Sequence, residues 1–166
     1  MKKIILSAIM LFGLAFTAQA QIASKNALGL RLGGSNGFGA EVSYQRGLSE
    51  KNRLEFDLGW KNDNDVNSVK GVGLYQWVWN IDGGFNWYAG VGAGLSAWSY
   101  DYDGSGSHYG NDSGVYVFAA GDIGIEYAFP EAPITLSLDA RPEIGSGYYD
   151  DDNFGFDVGL GVKFRF

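Results

Sequence analysis

The 166-residue chain has no cysteine, so neither disulfides nor thiolate metal sites hold it together. Proline is nearly as scarce. Pro130, Pro133 and Pro142 are too few and too clustered for a disordered Pro-rich tract. Beyond residue 20 no apolar run approaches the ~20 residues of a transmembrane helix. Basic residues are also short, 12 Lys and Arg against 19 Asp and Glu, which argues against nucleic acid as a partner. His108 is the one histidine.

Glycine and aromatic side chains are abundant instead. There are 26 glycines, about twice the usual share, and aromatics make up 16%. The chain opens with "MKKIILSAIMLFGLAFTAQA". Lys2 and Lys3 precede an apolar run from Ile4 to Phe16, and Ala18-Gln19-Ala20 follows it. That order of charged, apolar and small-x-small parts predicts a secretory signal peptide over 1–20 and a mature domain over 21–166. Without Lys2 and Lys3 the mature chain keeps 10 basic residues against 19 acidic ones, a net charge of −9.

The mature sequence alternates apolar and polar residues repeatedly. "ALGLRLGGS" (27–35) sets Leu28, Leu30 and Leu32 against Gly29, Arg31 and Gly33. "GFGAEVSYQ" (37–45), "RLEFDLGWK" (53–61) and "ITLSLDARPE" (134–143) do the same. The final stretch sets Phe156, Val158, Leu160, Val162, Phe164 and Phe166 against Asp157, Gly159, Gly161, Lys163 and Arg165. A period of two means β-strand. Residues 86–98 and 115–129 add two strands, and 68–80 adds one whose register is ambiguous, because Lys70 and Trp77 fit either phase or a bulge. Eight strands result. After the first hairpin at "GSNG", short connections ("GLSEKN", "NIDGG", "FPEAP") alternate with longer ones ("NDNDVNS", residues 99–114, "GSGYYDDDN").

Two closed barrels fit such a pattern. A soluble lipocalin-like carrier has its apolar face inward, and a membrane barrel has it outward. Residue size separates them. The polar faces carry glycine at Gly29, Gly33, Gly39, Gly59, Gly92, Gly94, Gly124, Gly155, Gly159 and Gly161. A wetted outer surface has no steric reason to avoid side chains, whereas the inside of an eight-stranded barrel is barely wide enough for them. The expected fold is therefore an all-β, eight-stranded antiparallel up-and-down transmembrane barrel. Its expected lumen network is Arg31, Glu41, Glu55, Asp57, Asp122, Glu126, Asp139, Arg141, Asp157, Lys163 and Arg165, with a structural role. Acids outnumber bases in that set, so some carboxylates must be hydrated, near a mouth, or protonated. Two aromatic belts are expected. Trp77, Trp79, Trp87, Tyr127, Phe129, Phe164 and Phe166 lie near short turns or the C-terminus, and Trp60, Trp98, Tyr148, Tyr149 and Phe154 near long loops.

These features together, with the terminal "VGLGVKFRF", resemble the small bacterial outer-membrane barrels of the OmpA/OmpX class, and "GLYQWVWNIDGGFNWYAGVGAG" (73–94) resembles a subgroup of it. The resemblance is architectural and brings no catalytic motif. It implies an outer-membrane location, contact with lipid and lipopolysaccharide, a monomer, and recognition of Leu160, Val162, Phe164 and Phe166 by the barrel assembly machinery.

Three candidate sites stand apart from the strands. Asp101, Asp103, Ser105, Gly106 and Asp112 occupy positions 1, 3, 5, 6 and 12 of a calcium-loop spacing. The twelfth residue is the shorter Asp and no helices flank the stretch, so an acidic exposed loop is the better reading, with calcium as candidate ligand. Asp150, Asp151 and Asp152 form a second acidic tip that could meet cations bridging lipopolysaccharide phosphates. His108 with Ser105 or Ser107 is the one pair that a lipid A-modifying enzyme could use, but a loop lacks the rigid framework a nucleophile and base require. No catalytic residue is therefore assigned. A small pore is the remaining alternative, opposed by a lumen full of side chains.

Overall fold

The computed structural model describes residues 25–33, 39–63, 66–100, 113–145 and 154–166. Eight antiparallel strands follow one another around a closed barrel: β1 (Asn26–Gly33), β2 (Glu41–Gly47), β3 (Asn52–Asp63), β4 (Val66–Asp82), β5 (Phe85–Tyr100), β6 (Ser113–Ala128), β7 (Ile134–Gly145) and β8 (Phe154–Arg165). β1 closes on β8, and the first residue of β1 meets the last residue of the chain in the ladder. Asn26 N–H donates to the Phe166 carbonyl at 3.2 Å, and Phe166 N–H to the Asn26 carbonyl at 2.9 Å. The alternation of the sequence persists to its last side chain because that side chain belongs to a paired strand.

Register fixes the shape. From Arg31 the pairing runs through Glu41 and Gly59 to Lys70 on β4. In the other direction it runs through Gly161, Ser137, Glu126 and Asn86 to Asn80 on the same strand. The two routes differ by ten residues, a stagger that tilts the strands by about 40° from the barrel axis.

The apolar phase faces outward. Leu28, Leu30, Leu32, Phe56, Leu58, Ile123, Leu138, Leu160 and Val162 are all exposed, while Arg31, Glu55, Arg141 and Lys163 are buried. The lipocalin-like alternative required the reverse.

Some expectations need correction. β4 has no bulge between residues 66 and 80; its even positions point inward from Lys70 through Val72 and Leu74 to Gln76, and the one irregularity falls at Asn80/Asp82, beside the turn. Of the stretch 62–68, read as a loop, residues 62, 63 and 66–68 are ladder, with Asn62 opposite Asn67 and Asp63 opposite Val66, and 64 and 65 lie outside the described residues. Backbone pairing does not require an apolar face, so polar side chains there do not mark a loop. β2 begins at Glu41, so Gly39 and Ala40 precede the strand, and residues 37 and 38 of the expected start lie outside the described residues. Trp98 shares the inward phase of Ser96 and lies opposite Gly114, so it does not join the outer belt; a Cβ at Gly114 would meet its indole at 2.7 Å. Tyr148 and Tyr149 lie outside the described residues.

Near the short turns the outward aromatics pack on one another. Trp79 stacks on Trp87 at 4.2 Å, Tyr75 meets Trp77 edge-on at 5.0 Å, and Tyr127 touches both Phe85 and Phe129.

Candidate functional site

The barrel interior is the site. Arg31 on β1 is fully buried and gathers three carboxylates from three strands. It reaches Asp139 on β7 at 2.5 and 2.8 Å, Asp157 on β8 at 2.7 Å and Glu41 on β2 at 3.2 Å. Arg141 on β7, also fully buried, takes Asp57 at 2.6 Å, shares Glu41 at 3.3 Å and lies 3.7 Å from Glu55. Lys163 reaches Glu55 at 3.1 Å, and Gln45 donates to the same carboxylate at 2.5 Å. Each planar guanidinium thus ties together strands far apart in sequence, the geometry that Arg provides and Lys does not.

Glycine makes the room. A Cβ at Gly159 would fall 2.5 Å from the Arg31 guanidinium carbon, and one at Gly33 would overlap the Asp157 carboxylate. The glycine-rich inner face is therefore a socket for long ionic side chains.

A second region is built differently. Val72 and Leu74 of β4 pack with Phe118 and Ala120 of β6 in a buried cluster, with Tyr116 against it. Tyr88 on β5 is buried nearby, under the Arg53 guanidinium at 4.7 Å. Here too, rings lie over glycines: a Cβ at Gly94 would overlap the Phe118 ring, and one at Gly124 would come 2.5 Å from the Tyr88 ring. Lys70 spans the lumen to Glu143 on β7 at 2.6 Å, with Phe118 5.2 Å away.

Ten of the eleven sequence-derived lumen residues are buried: Arg31, Glu41, Glu55, Asp57, Asp122, Glu126, Asp139, Arg141, Asp157 and Lys163. Arg165 lies at the end of the barrel, where it donates to the Phe129 and Ala132 carbonyls at 2.6 and 2.9 Å and pins the β6–β7 turn. Asp122 accepts from Gln76 at 2.5 Å and has no cation within 4 Å among the described residues.

Arg53, Lys70 and Glu143 were missing from that list. Arg53 donates to Glu126 at 2.7 Å and to Gln76 at 2.6 Å. Its signal was its shared phase with Glu55 and Asp57. Glu143 shares the phase of Arg141, hidden by the intervening Pro142, and Lys70 was hidden by the ambiguous register of β4.

The calcium-loop candidates Asp101, Asp103, Ser105 and Asp112, and with them Ser107, His108 and Asp150 to Asp152, lie outside the described residues. Among the described residues no group of three or more His, Asp or Glu side chains is arranged to hold a metal ion. Chemically, the interior spends its charges on one another. Among the described residues its acids are matched mainly to arginines and lysines across the lumen.

No sequence-family model matches the chain, and no curated protein matches it in sequence. Solved structures do match in fold. The N-terminal β-barrel domain of Pseudomonas aeruginosa OprF superposes with a TM-score of 0.62 at 16% identity, covering 86% of this chain and 99% of that one. Neisserial surface protein A (NspA) gives 0.58 at 15%, covering 85% and 94%. Ail, the attachment invasion locus protein of Yersinia pestis, solved with the heparin analogue sucrose octasulfate, gives 0.54 at 12%, covering 86% and 97%. The fold is that of the small eight-stranded outer-membrane barrels, the OmpA/OmpX-like class.

Proposed function

We propose that the protein is an integral outer-membrane barrel, exported by a cleaved signal peptide over residues 1–20, that acts without catalysis as a structural or surface-interacting element. The observation that carries this reading is the inversion of polarity. A ring of exposed Leu, Val, Ile and Phe surrounds an interior of fully buried Arg31 and Arg141 with their carboxylates. In water such a surface would be a large aggregating patch; in a bilayer it is the required solvent-facing side. The ion pairs serve as a polar core that sets strand register, and they close the lumen to free passage, which favours a plugged barrel over a pore. Asn26 and Phe166 lie on the side of the short turns, which this reading makes the periplasmic side. Leu160, Val162, Phe164 and Phe166 form the strand offered to the assembly machinery, and the acidic stretches around Asp101 and Asp150 would engage divalent cations that bridge lipopolysaccharide phosphates. The molecule works as a monomer.

Gel migration of membrane-extracted protein with and without boiling tests the reading. A folded barrel resists detergent and shifts on boiling. A protein that stays soluble without detergent and shows no shift contradicts it.

A further inference from the structure

The charged interior holds two hydrogen-bonded networks. The first joins Arg31 to Arg141 through Glu41 and includes Asp57, Asp139 and Asp157. The second runs from Asp122 through Gln76 to Glu55 and Lys163, and through Arg53 and Glu126 to Asn86 near the short turns. Among the described residues no hydrogen bond passes from one network to the other. Arg141 lies 3.7 Å from Glu55, too far for one. The networks meet at a break in the β6–β7 ladder. Pairing holds at Ile123 with Ala140 and at Ala120 with Glu143, but skips Gly121 and Asp122, because Pro142 has no N–H to give. The register on either side of the break sets Asp122 opposite Arg141, with both side chains buried on the inner face. Facing residues hold their Cβ atoms ~5 Å apart. Even so, no Arg141 nitrogen lies within 4 Å of the Asp122 carboxylate. Arg141 Nε and Asp122 Oδ1 are each buried without a hydrogen-bond partner among the described residues.

We propose that a bound water molecule bridges Arg141 Nε and Asp122 Oδ1 and joins the two networks. The unpartnered atoms define the ligand chemistry. One donates and the other accepts, so the occupant must accept from a guanidinium and donate to a carboxylate. A metal cation is repelled by Arg141 and an anion by Asp122. Facing positions of one ladder row leave room for about one small molecule. Water meets all three conditions, and leaving a buried donor and a buried acceptor both unmet is costly. Asp57 Oδ1 and Ser43 Oγ, opposite one another in the β2–β3 row, are unpartnered as well. Because Asp57 accepts from Arg141 Nη2 through its other oxygen, the unmet hydrogen-bonding capacity is concentrated around Arg141. Bridged by water, Asp122 gains Arg141 as its counter-charge, and one hydrogen-bonded chain runs from Arg31 to Asn86. The site depends on the barrel interior and not on the membrane reading.

Water-edited NMR of the 15N-labelled folded protein in detergent micelles tests the site, with water itself as the probe. The Arg141 Nε–H resonance should show a cross-peak to water, with the opposite NOE and ROE signs that mark a held molecule rather than proton exchange. Arg31 Nε–H, which donates directly to Asp139 at 2.8 Å, should show none. Asp122→Asn, which keeps an acceptor oxygen, should retain the Arg141 cross-peak, and Asp122→Leu should lose it. A wild-type protein without that cross-peak overturns the proposal. So does a cross-peak of equal strength in Asp122→Leu, which leaves the water on Arg141 alone. Exchange of sodium for N-methylglucamine should leave the Arg141 resonance in place, and a shift would assign the site to a cation instead. The contrast between Arg141 and Arg31 in the wild-type protein decides the matter even where Asp122→Leu fails to fold.

Discussion

Two sides of the same lumen solve one packing problem with different chemistry. On the side built by β7, β8, β1, β2 and β3, the space is filled by Arg31 and Arg141 with Glu41, Asp57, Asp139 and Asp157. On the side built by β4 and β6 it is filled by Val72, Leu74, Phe118 and Ala120. Both sides rely on glycine, Gly159 yielding to a guanidinium and Gly94 to a phenyl ring. The shared requirement is volume within a narrow cylinder. The difference lies in what each side determines: dispersion contacts tolerate small shifts, whereas a guanidinium bonded to three carboxylates on three strands admits one register.

That contrast can be broken in order of size. Arg31→Met should be the most damaging change, because it leaves Asp139, Asp157 and Glu41 buried and short of a cation. A loss of about 3–5 kcal/mol is expected in urea unfolding from vesicles followed by tryptophan fluorescence. A loss no larger than that of an exposed substitution would mean that water already solvates those acids.

Lys70 and Glu143 sharpen the comparison, since this pair borders the apolar side. Lys70→Met or Glu143→Leu alone should each cost a few kcal/mol, about 3 at most, whereas the double substitution should cost less than either single one. An additive double variant would show that the pair behaves like the Arg31 hub.

Gly159→Ala is the smallest of the three. Its methyl must displace the Arg31 guanidinium, for about 1–3 kcal/mol, and the Arg31→Met background should remove much of that cost. A cost unchanged in that background would place the strain elsewhere.

Where the two faces of a strand differ in chemistry, the sequence announced them. Arg31, Glu55, Asp57, Asp157 and Lys163 each sit between two of Leu, Val or Phe, and Asp139 and Arg141 continue the alternation past Leu138 and Ala140, so period two alone assigns their face. β4 lacked that contrast. Its inward residues include Val72 and Leu74 and its outward ones Gly71 and Gly73, so its phase depends on which residues of β3 and β5 it pairs with, a tertiary fact. The same strand therefore hid Lys70. The polar residues 62, 63, 67 and 68 were misread for another reason, because a ladder can continue where both faces carry polar side chains. Trp98 was misassigned because proximity to a loop says nothing about parity.

The central claim is the inversion of faces, and the cysteine-free chain permits a direct test on β8. Single cysteines placed in turn at 158 to 163 would carry a nitroxide, and its collisions with oxygen and with a water-soluble nickel complex would be measured in vesicles. High oxygen contact at 158, 160 and 162, alternating with low contact at 159, 161 and 163, is the predicted result. The opposite phase, or free access of nickel to 158, 160 and 162, would contradict the account.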